Sequence, residues 1–188
     1  AGYNVQIAVD DKHKLIVASA VVNDGNDSGQ LYAMAKAAKE ELGVETLTAL
    51  ADTGYYNGNE LKACEENGIV AYVPQAKRTA RLEAQDRISH EAFAYDAEAN
   101  VYRCPAGQLL AYWLTTVDGE RTIRRYTTKA CGSCQLKARC TKAKYRVISR
   151  WEHEHVMEAA QRRLDENPQA MRQRRETAVR SALARAEG

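Results

Sequence analysis

No apolar run in this 188-residue chain approaches the roughly 20 consecutive residues that a membrane-spanning helix needs. No secretory signal peptide opens it either, so its five cysteines are not expected to form a disulfide framework. Internal repeats and low-complexity tracts are missing, which excludes repeat architectures. Histidine is scarce. His13 falls in a turn, His90 beside a linker, and His153 and His155 stand two apart on a predicted helix, where they cannot share a face as metal ligands. An initiating methionine is also lacking. Ala1 lies within what already reads as a strand, so a piece of a longer protein is expected.

What is present suits a soluble globular protein: 45% hydrophobic and 28% charged residues, enough chain for one good core and a smaller appendage. The net charge of +2 hides an asymmetry. Residues 1–100 hold 9 basic and 16 acidic side chains, a net of −7, and residues 101–188 hold 18 and 9, a net of +9. Such a division suggests a polyanion-binding region beside one that gathers cations. Charge alone favours the plainer reading of a solvated basic surface.

Tyr3–Val9 alternates like a strand with one face buried, and Leu15–Val22 is strongly strand-like, so the two read as a hairpin around the polar "DDKHK". Ser28 is placed to cap a helix running to about Leu42, with Leu31, Met34, Ala35, Ala38 and Leu42 on one face, and Gly43 ends it. A strand leads to Asp52, a helix spans about Asn59–Asn67, and Ile69–Val73 is a further strand. The order β-β-α-β-α-β predicts a mixed α/β layer. The expected organisation is a partial core over 1–75, a polar linker over 76–92, a cysteine-rich unit of short strands over 93–149, and C-terminal helices over 150–188.

Four cysteines gather in one region: Cys104 in "YRCPAG", then Cys131, Cys134 and Cys140 in "CGSCQLKARC". Two thiolates separated by two residues can wrap one tetrahedral Zn²⁺ through a tight turn, and "CPAG" supplies a second such turn. Basic neighbours would offset the negative charge of four thiolates. A redox pair and plain reduced thiols are the rivals, and nothing thioredoxin-like surrounds the motif to favour the first. A structural zinc site is the favoured reading, and Cys64 reads as a core thiol.

Asp52 in "ALADTGYYNGNEL" sits where an apolar strand stops at a glycine turn. A carboxylate there is well placed to reach a divalent cation. Asp also caps such turns through backbone N–H groups, and locally that reading is the stronger. The wider pattern adds to it. "GYNVQIAVDDKHKLIVASAVVNDGNDSGQL", "ADTGYYNGNEL", "YRCPAG", "CGSCQLKARC" and "RWEHEHVMEAAQRRLDENPQAMRQRRET" together resemble bacterial insertion-sequence transposases, over residues 2 to about 177. The resemblance is to the DDE group with an RNase H-like catalytic domain, in the subgroup with a cysteine-rich insertion.

The resemblance implies an α/β, RNase H-like mixed sheet with a zinc-ribbon-like insertion. It also implies DNA strand cleavage and transfer at two Mg²⁺ ions held by two Asp and one Glu. Asp52 matches the second acid, although the Arg that commonly follows is Thr53 here. The first Asp would lie upstream of the opening hairpin, and Asp10 and Asp11 read as turn formers rather than substitutes. The family's Arg-x3-Glu-x6-Lys signature begins at Arg175 and falls on Val179 and Ala186. Glu176 is displaced by roughly 4.5 Å along a helix, too far for a catalytic metal site. The expectation is therefore a transposase fragment, incomplete for catalysis alone. Arg124, Arg125, Lys137, Arg139, Arg172, Arg174 and Arg175 are expected to meet the phosphates of transposon ends and target DNA. A homodimer on DNA and a cytoplasmic, nucleoid-associated setting follow from the same resemblance. Tyr102, Tyr112, Trp113 and Tyr126 read as core before they read as base-stacking residues. The rivals are a non-catalytic zinc-stabilised DNA-binding module and a nuclease using Asp10, Asp52 and Glu176.

Overall fold

The computed structural model describes residues 3–75 and 84–168. The chain divides into two compact units, Ala1–Ala76 with His155–Gly188, and Lys77–Glu154. Both α and β elements are present, as expected. Among the described residues no helix is long and apolar enough to cross a membrane.

In the first unit β1 (Asn4–Val9) and β2 (Ile16–Val22) form an antiparallel hairpin. Its turn is closed by Asp10, whose carboxylate accepts the His13 N–H at 2.6 Å. Helix α1 (Leu31–Leu42) packs on both strands. It begins after Gln30, two residues beyond the expected Ser28 cap, and buries Leu31, Met34, Ala35 and Ala38. Gly43 ends it with φ 62°, a left-handed conformation that glycine adopts without a Cβ penalty. Strand β3 (Leu47–Leu50), a 3-10 turn at Thr53–Tyr55, helix α2 (Gly58–Glu66) and strand β4 (Ile69–Tyr72) then form a parallel crossover unit. The Asn57 side chain caps α2 by accepting the Asn59 N–H.

The hairpin and the β3–β4 pair are separate two-stranded ladders among the described residues. The hairpin also turns the unexpected face inward. Gln6 is buried while Val5, Ile7, Val9 and Val21 are exposed. The reason is polar: Asn4 and Gln6 each donate an amide N–H to Asp27, and Gln6 accepts the Tyr55 hydroxyl. Once those groups lie inside they must keep their partners, and the alternation of the strand sends the valines out.

The second unit is a five-stranded antiparallel meander. Its strands are β5 (Ala94–Asp96), β6 (Val101–Arg103), β7 (Leu109–Asp118), β8 (Arg121–Thr127) and β9 (Val147–Trp151). A short helix, α3 (Lys137–Cys140), lies in the β8–β9 connection. Phe93, Tyr102, Leu110, Tyr126 and Ile148 make the core. The Tyr95 and Tyr126 hydroxyls both donate to Asn100 Oδ1, at 2.9 and 2.8 Å. The Arg150 guanidinium lies 3.8 Å from the centre of the Tyr95 ring.

Helix α4 (Glu154–Glu166) starts four residues later than the sequence pattern suggests. Arg150 and Trp151 belong instead to β9, paired with Arg124 and Ile123 of β8. Val156 and Ala160 of α4 join the core of the first unit with Leu31, Leu61, Cys64 and Ile69. Cys64 is the core thiol expected, its pKa pushed up to about 12 first by burial and then by the Glu60 charge.

Candidate functional site

Asp52 follows β3 in extended backbone, and its Oδ1 accepts the Gly54 N–H at 2.8 Å. It therefore caps the 3-10 turn, and it is exposed. Its neighbour across Gly54 was not legible as a site residue. A Cβ placed on Gly54 would lie 3.1 Å from Asp52 Oδ1 and 3.6 Å from Asp27 Oδ2. Two carboxylates thus approach one another over a residue that has no side chain.

Asp27 is held in place from the hairpin. Its Oδ1 accepts Asn4 Nδ2 at 2.7 Å and Gln6 Nε2 at 2.6 Å, and these two bonds lower its pKa. Burial raises the Tyr55 pKa, helped by the charges of Asp27 and Asp52. The chain Asn4–Asp27–Gln6–Tyr55 ties β1 and the β2–α1 loop to the turn that carries Asp52. Asp10 stays away from this group: it closes its own turn, and the His13 backbone N–H lowers its pKa.

Cys104, Cys131, Cys134 and Cys140 line one cavity of about 20 Å³ in the second unit, with Phe93 and Arg146 among the other walls. That volume is near one water-sized sphere. All four cysteines are free thiols of intermediate burial. Cys104 ends β6 in a tight turn where Gly107, at φ 76°, donates to the Cys104 carbonyl at 2.8 Å. Cys131 lies within a 3-10 turn at Lys129–Ser133, Cys134 directly follows it, and Cys140 ends α3. The Arg146 N–H donates to Cys131 Sγ at 3.4 Å. Burial raises the Cys140 pKa; Arg146 opposes the rise, and Cys131, Cys104 and Cys134 add to it. Among the described residues no three His, Cys, Asp or Glu side chains are arranged as they stand to hold a metal ion.

The basic side chains expected at DNA are differently placed. Arg124 is exposed on β8, opposite Arg150 of β9. Arg125 Nε donates to Thr116 Oγ1 at 3.2 Å. Lys137 opens α3 and also lines the cysteine cavity. Arg139 pairs with Asp86 and donates to the Asp86 carbonyl at 3.2 Å, so part of its charge is already answered. Arg172, Arg174, Arg175, Glu176, Val179 and Ala186 lie outside the described residues. Of the four aromatic residues expected in the core, Tyr102 and Tyr126 are buried, whereas Tyr112 and Trp113 are about half exposed.

Residues 103–187 match the family model described as "Transposase DDE domain". This supports a relationship to the DDE transposases over somewhat less than half of the chain. The matched stretch holds the four cysteines of the cavity, β7 to β9 and α4, and Asp52 lies before it. No curated protein matches the chain, and no solved structure does.

Proposed function

We propose that the chain is part of the catalytic region of a DDE-type DNA transposase, able to bind DNA but incomplete for cleavage by itself. The family match over residues 103–187 carries this reading. Charge supports it, because residues 101–150 hold 11 basic and 2 acidic side chains. Arg124, Arg125, Lys137 and Arg139 would supply phosphate contacts there. A bacterial origin, an RNase H-like core and assembly as a dimer on DNA belong to the same proposal.

Zn²⁺ fits the cysteine cavity by donor chemistry: four reduced sulfurs, three on two tight turns and Cys140 at the end of α3, around one small space. Bound there it would cross-link β6 to the β8–β9 connection and supply folding energy. Cys104, Cys131, Cys134 and Cys140 would hold it, with the Arg146 N–H already directed at Cys131.

Mg²⁺ fits less well. Asp52 offers hard oxygens, and Asp27 stands nearby, but two carboxylates fall short of a two-metal set. No strand-cleavage step is assigned to this chain alone.

The purified chain should retain DNA on a filter at low salt, release it steeply as salt rises, and leave supercoiled plasmid intact in Mg²⁺. Nicking by the purified chain would refute the incompleteness. Absence of binding at low salt would refute the DNA reading altogether. The second reading, a non-catalytic zinc-stabilised DNA-binding module, is favoured by the shortage of acids beside Asp52. Supplying upstream sequence together with Val179→Glu separates the two: restored cleavage supports the transposase, and persistent inactivity supports the module.

A further inference from the structure

We propose that the open face of the β5–β9 sheet binds single-stranded DNA, with an unpaired base stacked on Trp113. The inference rests on the DNA-binding reading above and names which form of DNA this surface takes.

The register defines the face. Directly opposed residues in an antiparallel ladder share a face. One side carries Tyr102, Leu110, Tyr126 and Ile148, all buried. The other carries Arg103 opposite Leu109, Arg125 opposite both Leu114 and Ser149, and Thr127 opposite Val147. Leu109 is 49% exposed and Val147 is 37% exposed, so this side of the sheet is open at that end, whereas Trp151, opposite Ile123 on the same side, is buried.

Trp113 stands at the break in that register. The pairing passes from Tyr112–Tyr126 to Leu114–Arg125, leaving Trp113 as the extra residue of a β-bulge. Alternation from Tyr112 sends it to the same face as Leu114. The indole is 58% exposed, so a large flat apolar ring is left in water on this face.

The surroundings select the occupant. Arg125 is fixed on this face by Thr116 Oγ1 at 3.2 Å and Ser149 Oγ at 3.5 Å. Those bonds engage two of the five N–H donors a guanidinium carries. Arg103 is exposed beside Leu109. Asp118 and Glu120, the two acids in residues 101–150, both sit at the β7–β8 turn. An anion with a flat apolar face matches this surface. Duplex DNA offers the charge but keeps its base faces stacked, out of reach of a single indole. An unpaired strand offers both.

The test uses the full 188-residue chain carrying Trp151→Phe, so that Trp113 is the only tryptophan. Titration with a 15-nucleotide thymidine strand should quench its emission, and a duplex of the same length should quench it far less. Trp113→Ala and Trp113→Leu should each weaken single-strand binding about ten-fold while leaving duplex binding unchanged, and Trp113→Phe should keep most of it. Arg125→Ala should lower the salt slope for the single strand by about 0.7. Equal single-strand affinity in a folded Trp113→Leu chain overturns the proposal, as does tighter binding of duplex or of the matching uridine oligoribonucleotide. Loss of all nucleic-acid binding in the parent chain would instead refute the DNA reading on which it rests.

Discussion

Gln6 joins two carboxylate neighbourhoods through a single amide. Its NH₂ donates to Asp27 and its carbonyl oxygen accepts from Tyr55, and the whole side chain is buried. Gln6→Leu keeps the bulk but strands the Tyr55 hydroxyl, which should lower unfolding stability by about 1–3 kcal/mol in urea denaturation. Asp27→Asn is milder, at about 1 kcal/mol, because that carboxylate is largely hydrated. Its signature is in pH. The folded-state pKa of Asp27 lies below the ordinary 3.8, so its contribution is present above that value and fades as pH falls through the folded pKa. The variant should show a flatter acid limb there than the parent, and identical limbs would remove Asp27 from the network. At this scale the sequence was half legible. Asp52 stood out because a strand and a glycine turn frame it. Asp27 did not, because "NDGNDSG" reads as an ordinary loop and its partners lie 21 and 23 positions away.

Elements were easier to name than to orient. The alternation of Tyr3–Val9 identified a strand, but period two cannot say which face turns inward when amides on one side find a buried partner. The late start of α4 has a similar cause: the pattern around Arg150 and Trp151 looked helical, yet both residues are claimed by the β8 ladder. The consequence is that a strand of the second unit runs directly into a helix that packs in the first. Val156→Ala removes two buried methyl groups from that packing and should cost about 2 kcal/mol. Hydrogen exchange should then show weaker protection in β4, whose Ile69 and Ala71 share the core with Val156, and in β3, whose Leu47 and Ala49 pack against it, with unchanged protection in β7 and β8. Loss of protection confined to α4 would mean that the helix does not support the parallel pair.

Among the described residues the cysteine cavity and the tryptophans fall in one unit and most helical residues in the other. Trp113 and Trp151 are the two tryptophans, on β7 and β9. Helices α1 and α2 lie in the first unit, as does α4 beyond Glu154. Tryptophan emission therefore follows the five-stranded sheet, and the far-ultraviolet helical signal follows the remainder. If zinc ties Cys104 to the loop bearing Cys131, Cys134 and Cys140, removing it should lower the denaturation midpoint seen by emission. The helical midpoint should hold, because Cys64, the cysteine of the first unit, is buried in an apolar core away from any such role. Cys104→Ser should reproduce the separation without chelator. Coincident shifts in both signals would show that the units unfold as one, and no shift in either would remove zinc from the structure.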